Sequence, residues 1–365
     1  MIESCPLLTE IIKGAYTHDA SDIHIQTDCP AFYRIHGEIT KSEFVPAQGD
    51  MEDFLSVILK DPGAISTLYD KEERDLSYSI KLRDDLELRF RVNISMSRDG
   101  VYIVMRRLKT VNPDPFSLGV PKMLVDTVLS VPYGIIFIAG ATGSGKSTTL
   151  ASVISYLTER EAMNCVTIED PIEYELLRGK GNMVQREVGR HTLSFAQALR
   201  AAMREDPDII LVGEVRDPET AIAAIQAARS GHIVFSTIHV SNVRQIPQRI
   251  ANMFPTERQG WMLNEVVDVT VCCAVQALVP SPDGSKRHLA TEITTLTSDA
   301  SKELFRQNDF VAIKKEMETG VNGWTLNASL IKLYKEGKIT KDALFGYSND
   351  VSSLEAIFKG NGIKK

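Results

Sequence analysis

Gly134-Ile135-Ile136-Phe137-Ile138-Ala139-Gly140-Ala141-Thr142-Gly143-Ser144-Gly145-Lys146-Ser147-Thr148 is the stretch from which the rest of the chain can be read. An apolar run of strand length leads into Gly140–Ser147, which fits G-x-x-x-x-G-K-[ST], and Thr148–Leu157 follows with a helical pattern. Glycines let backbone N–H groups turn inward around phosphate oxygens, and a helix start behind them adds partial positive charge. Lys146 supplies a point charge for β- and γ-phosphates, and the Ser147 hydroxyl is an oxygen donor suited to Mg²⁺. A purely structural strand-to-helix turn would account for the glycines but for neither Lys146 nor Ser147. Gly140–Thr148 is therefore expected to bind ATP with Mg²⁺.

Around this loop, apolar strand-length runs alternate with helical ones. Ile135–Ala139, Val166–Glu169, Ile209–Val212 and Ile233–Ile238 read as buried strands, and Thr148–Leu157, Phe195–Met203 and Thr220–Ala228 as helices. That alternation belongs to a parallel α/β sheet, whose ligands bind beyond the carboxyl ends of the strands. Polar boxes fall at those ends. Glu169-Asp170-Pro171-Ile172-Glu173 holds three carboxylates in five residues. A solvated acidic loop is the bland reading; the place beside the glycine loop favours a carboxylate that orients or deprotonates water. Asp206–Asp217 is an apolar strand ending in Gly213-Glu214, where a Walker B acid would hold Mg²⁺ directly or through water. Gly231–His239 brackets another apolar run with His232 and His239, whose spacing does not match a zinc site. Structural histidines are the ordinary reading, and sensing of the γ-phosphate by one of them is the functional one. After Val279 the sequence turns polar and reads as helical, ending with Leu326–Gly337 and Leu344–Gly360.

Residues 1–110 carry short β-type runs, Ser21–Gln26, Ala31–Ile35 and Glu87–Ser95, interrupted by helical stretches such as Met51–Leu59, and so predict a small α+β domain. Arg89, Arg91, Arg98, Arg106 and Arg107 cluster in its last two strand-like runs. Solvated surface charge explains most such clusters, but ATPases of this kind often take an arginine from a neighbour to offset transition-state charge. The prolines of Val111-Asn112-Pro113-Asp114-Pro115-Phe116 impose extended backbone, so 111–119 reads as the linker to a second domain over 120–365. With 41 Lys plus Arg against 48 Asp plus Glu in 365 residues, the net charge of −7 argues against a nucleic-acid-binding surface. The apolar runs are too short to span a bilayer and the N-terminus lacks the pattern of a secretory signal, so a cytoplasmic chain is expected. Five cysteines without a CxxC pair read as free, buried thiols.

Taken together, these boxes resemble the type II/IV secretion ATPase superfamily and, within it, the PilT-like type IV pilus retraction ATPases. The resemblance runs from Ser21-Asp22-Ile23-His24 and Phe90-Arg91-Val92-Asn93 through the glycine loop to Thr167–Tyr174, Asp206–Asp217 and Gly231–His239. It implies a RecA-like P-loop core behind a PAS-like N-terminal domain, assembled as a homohexamer with ATP between the two domains. It also implies Glu173 as catalytic glutamate, Glu214 as Walker B acid, and His232 and His239 as the histidine pair. Arg91 and Arg106 match the phosphate-contacting arginines of the N-terminal domain, and Arg200, Arg204 and Arg216 match arginines around the acid strand. The implied partners are an inner-membrane pilus platform protein, reached by peripheral contact with the membrane, and a paralogous pilus ATPase. Assembly ATPases usually add a large N-terminal region and a four-cysteine zinc motif, neither of which occurs here. The Ala-Ile-Arg-Asn-Leu-like segment typical of retraction members is replaced by Ser301–Asn308. Retraction is the expected work, with pilus assembly, secretion or conjugation as the alternative and a nucleic-acid translocase as the other class.

Overall fold

The computed structural model describes residues 5–35, 38–60, 68, 73–83, 86–111, 114–176 and 178–360. Asn112 and Pro113 of the expected linker lie outside the described residues. Contacts divide the chain into two units, Met1–Lys109 and Thr110–Lys365.

In the first unit, α1 (Pro6–Thr17) and α2 (Gln48–Leu59) accompany six strands. The strands are β1 (Asp22–Gln26), β2 (Phe32–Ile35), β3 (Glu38–Lys41), β4 (Arg74–Arg83), β5 (Leu86–Ser97) and β6 (Gly100–Arg107), in the spatial order β3-β2-β1-β6-β5-β4. All neighbours are antiparallel. Leu8, Ile11, Ile12 and Ala15 recur at helical spacing on α1, and Met51, Phe54, Leu55 and Ile58 on α2. They pack with Ile23 and Ile25, with Leu88, Phe90, Val92 and Ile94, and with Val101, Ile103 and Met105. Because side chains alternate along a strand, this burial turns Asp22 and His24, Arg91 and Asn93, and Arg106 to the opposite face.

In the second unit, α3 (Lys122–Ser130), β7 (Gly134–Ala139) and α4 (Lys146–Arg160) come first, then β8 (Asn164–Glu169), β9 (Asn182–Glu187) and α5 (Phe195–Ala202). β10 (Ile209–Val212), α6 (Pro218–Arg229), β11 (Ile233–Ile238), α7 (Ile246–Ala251), α8 (Thr256–Val269) and β12 (Thr270–Pro280) follow. The chain closes with β13 (Arg287–Thr295), α9 (Asp299–Arg306), α10 (Phe310–Glu318), β14 (Gly323–Trp324), α11 (Leu326–Lys335), α12 (Lys341–Gly346) and α13 (Val351–Gly360). The sheet order is β9-β8-β10-β11-β7-β12-β13-β14, parallel through β12 and antiparallel after it. Both faces are covered, so β7, β10 and β11 are buried along their whole length, and only Ser236 and Thr237 of β11 bring polar side chains into them. Ile135 and Phe137 join the core beneath α5, α6, α7 and α8. Ile136 and Ile138 join the core beneath α3 and α4.

Three features differ from the sequence expectation. The stretch after Val279 is not wholly helical, because Arg287–Thr295 forms a nine-residue strand paired with β12. Leu344–Gly360 is two helices: Asp350 accepts the Ser353 N–H, its own N–H donates to the Ser348 hydroxyl, and a new helix starts there. The sheet is mixed rather than purely parallel. Four of the five cysteines are buried, all five are free thiols, and no described helix is long and apolar enough to cross a membrane.

Candidate active site

β7 delivers its last residue, Ala139, directly to the glycine loop. Gly140, Gly143 and Gly145 have φ of 143°, 78° and 89°, backbone that side chains disfavour. At Gly140 the demand is also steric, since a Cβ there would lie 2.5 Å from the Gln276 carbonyl and 2.6 Å from the Ser144 hydroxyl. Gln276, buried on β12, donates to the Ser144 carbonyl at 2.8 Å and so pins the loop from the neighbouring strand. Lys146 Nζ donates to the carbonyls of Gly140 and Ala141 at 2.9 and 3.0 Å. Burial lowers the Lys146 pKa from its usual value, while Glu173 and Glu214 act in the opposite direction.

The loop forms one wall of a cavity of about 450 Å³. Thr142, Gly143, Gly145, Lys146, Ser147 and Thr148 line that wall, with Glu169, Asp170, Glu173, Glu214, Arg216 and His239 among the groups opposite. β8 ends at Glu169, whose carboxylate accepts from the Thr167 hydroxyl at 2.7 Å and from Gln185 at 3.1 Å. Burial pushes its pKa up to about 7, against those hydrogen bonds. Glu173 is exposed on the cavity side of the turn after the cis Asp170–Pro171 peptide. The next residue, Tyr174, shares a 2.7 Å hydrogen bond with Thr148 of α4, joining the acidic turn to the phosphate loop.

Why the acid of β10 follows a glycine is visible in the packing. A Cβ at Gly213 would sit 3.2 Å from the Ile168 carbonyl, and the Gly213 N–H donates to that oxygen at 2.7 Å. The Thr237 hydroxyl donates to the Gly213 carbonyl at 2.5 Å, so β8, β10 and β11 converge where Glu214 leaves the strand. Its side chain is 12% exposed and paired with Arg216. β11 lies between the strand of the glycine loop and the strand of Glu214, and its exit places His239 on the cavity. Burial lowers the His239 pKa, assisted by Lys146 and Arg216 and opposed by Glu214.

Three expected residues of the second unit lie away from the cavity. His232 precedes β11 and therefore sits at the amino end of the sheet, its Nδ1 2.9 Å from the Ala227 carbonyl and 3.1 Å from the Ser230 hydroxyl at the end of α6. It does not line the cavity. Arg200 bonds Glu219 at 2.7 Å and Arg204 bonds the Arg200 carbonyl at 3.1 Å; neither lines the cavity. In the first unit Arg91 and Arg106 are direct cross-strand partners. Arg106 bonds the buried Asp22 at 2.7 Å, and Arg91 lies 3.9 Å from Asp75. Sequence reasoning missed Arg287, an exposed cavity-lining cation at the start of β13, and the apolar wall from Phe195 and Leu278. Its sequence, Gly284-Ser285-Lys286-Arg287, offers nothing beyond a basic turn.

A phosphate loop cornered by left-handed glycines, a strand-end acid two strands away and an acidic turn on the same cavity together define a P-loop ATPase. The whole chain was compared with known proteins. Residues 3–323 match the family described as Type II/IV secretion system protein, and the chain belongs to that family. It is 33% identical over 321 residues to the twitching motility protein of Neisseria gonorrhoeae, covering 86% of this chain and 83% of that one. It is 31% identical over 341 residues to the "Type IV pilus retractation ATPase PilT" of Pseudomonas aeruginosa, covering 92% and 96%. The crystal structure of the pilus retraction motor PilT with bound ADP superposes with a TM-score of 0.86 at 35% identity, covering 96% of this chain and 99% of that one.

Proposed function

We propose that this chain is a mechanical ATPase that powers type IV pilus retraction. The observation that supports this most is the near full-length likeness to a retraction motor, joined to a cavity that brings the phosphate loop, Lys146, Glu173, Glu214 and His239 together. The loop N–H groups and Lys146 bind the phosphates, and Glu173, open to the cavity, orients and deprotonates the attacking water. Neutral at pH 7, the His239 imidazole senses the γ-phosphate. Mg²⁺ fits the donor set, since the Ser147 hydroxyl and the Glu214 carboxylate are oxygen donors on one cavity. When bound, the ion offsets phosphate charge. Of Arg200, Arg204 and Arg216, Arg216, paired with Glu214, is the one that lines the cavity and can answer that charge.

On this proposal the working form is a homohexamer docked on an inner-membrane platform protein, cytoplasmic and peripheral, with a paralogous pilus ATPase as a further partner. Arg91 and Arg106 serve the phosphates of a neighbouring subunit. Pilus assembly, or secretion or conjugation by the same machinery, is the second reading, favoured by the family as a whole. Deleting the gene in the source organism separates them: excess immobile pili support retraction, and bald cells support assembly. Unchanged pilus number and motility would point to secretion or conjugation.

A further inference from the structure

β13 begins at the cavity with Arg287 and five residues later carries Glu292, a carboxylate only 3% exposed. Its oxygens are taken by three amide donors from three segments. Oε1 accepts the Val243 N–H at 2.8 Å. Oε2 accepts the Leu326 N–H at 3.3 Å and the Asn349 side-chain amide at 3.0 Å. Val243 opens a short 3₁₀ turn capped by Asn242, and Leu326 opens α11. Two helix starts thus converge on one buried charge, which is how a carboxylate is stabilised away from water without a cation. Lys314, which shares a small polar cavity with Glu292, is instead bonded to Asp350 at 2.7 Å and Ser353 at 2.5 Å.

What these bonds grip is the peptide that leaves β11. His239 follows the last residue of that strand, and Ser241 and Val243 are the second and fourth residues after it. Asn349 donates to the Ser241 carbonyl at 3.0 Å while its second N–H serves Glu292. Asn242 is 8% exposed and Val243 fully buried, so the Val243 N–H has no solvent to fall back on if its bond to Glu292 breaks. We propose that Glu292, assisted by Asn349, is a positioning residue for His239. It fixes segment 240–243, and through that backbone it sets where the imidazole stands against Lys146, Glu214 and Arg216. It also makes α11 part of the same clamp, so a displacement at the nucleotide reaches the C-terminal helices through one carboxylate. The inference rests on the reading of His239 as a phosphate-sensing group.

The test uses the full-length protein with ¹³C-labelled histidine. Glu292→Gln preserves size and one acceptor but removes the charge that two backbone donors and Asn349 share. Burial first, and then Lys146, Glu214 and Arg216, set the His239 titration, and the substitution leaves those three groups in place. Because Glu292→Gln also removes a charge that can act on the ring from a distance, a moved imidazole is read from a midpoint shift of about half a unit or more that recurs in Asn349→Ala, which keeps the Glu292 carboxylate. In parallel, kcat is expected to fall about tenfold with KM for MgATP nearly unchanged, and to fall no further when Glu292→Gln is added to His239→Ala. An unmoved His239 titration in a variant as heat-stable as the parent overturns the proposal, as does full additivity with His239→Ala. If Glu292→Gln fails to fold, Asn349→Ala carries the same readouts, since it leaves both backbone donors on the carboxylate. Should His239→Ala itself retain full turnover, the sensing role falls, and the titration alone then decides whether Glu292 positions the ring.

Discussion

Glu169 lines the same cavity as Lys146 and Glu214, yet burial holds it in a form that ordinary carboxylates reach only in acid. Its pKa rises from 4.5 to about 7 on folding. Between those values the folded chain binds a proton that the unfolded chain has released, so the stabilising contribution is present in acid and is lost as pH rises through 7. From pH 5 to pH 8 the loss amounts to about 2.5 kcal/mol, which partial access of the side chain to water reduces to ~1–2 kcal/mol. Glu169→Gln removes the ionisation and keeps an amide oxygen able to accept from Thr167 and Gln185. The expected result is a variant that gains on the parent by ~1–2 kcal/mol between pH 5 and pH 8. Paired urea titrations followed by tryptophan fluorescence read this directly, because both tryptophans, Trp261 and Trp324, lie in the same unit as Glu169. A difference between parent and variant that is constant across pH would refute the reasoning.

Three further outcomes are expected. Glu173→Gln should retain nucleotide and lose turnover, whereas Glu214→Gln should raise the Mg²⁺ requirement; coincident Mg²⁺ titrations of the two variants would reject that division of labour. Gly140→Ala should abolish ATP binding and cost about 1–3 kcal/mol of stability, since the added methyl meets the Gln276 carbonyl and the backbone is left-handed. Binding of a fluorescent ADP analogue at parental affinity would show that the loop tolerates the shift. Lys146→Ala and an Arg91→Ala, Arg106→Ala double variant should each be inactive alone yet recover partial turnover when mixed, because some interfaces then pair an intact loop with intact arginines. Background activity in mixed rings verified by two-tag co-purification would place the arginines outside the reaction.

The strongest signals in the sequence were those with a steric cause. Gly140, Gly143 and Gly145 are spaced as a phosphate loop because the backbone turns left-handed there. The apolar run of β10 marks its strand because both faces are covered. Strand Arg287–Thr295 was illegible for the converse reason: it is buried on both faces from Ala290 to Thr295, yet four of those six residues, Thr291, Glu292, Thr294 and Thr295, read as surface. Thr291 accepts from the Trp324 indole at 3.3 Å and Thr295 donates to the Asn322 carbonyl at 3.3 Å, partners that appear only once the strand is paired. Arg287 and Glu292 were lost with that strand. The two histidines of Gly231–His239 looked equivalent in sequence, but they flank a six-residue strand, and only its carboxyl end meets the cavity.

The hairpin joining β12 to β13 turns through Ser281–Lys286, where Asp283 gathers the hydroxyls of Ser281 and Ser285 at 2.5 and 2.7 Å. Its tip is exposed, and its last residue adjoins Arg287 on the cavity wall. With four native thiols buried and Cys29 replaced, Lys286→Cys becomes a selective attachment point for an environment-sensitive dye. Such a conjugate would turn nucleotide arrival and departure into an optical signal, so turnover can be timed without touching any group that performs the chemistry.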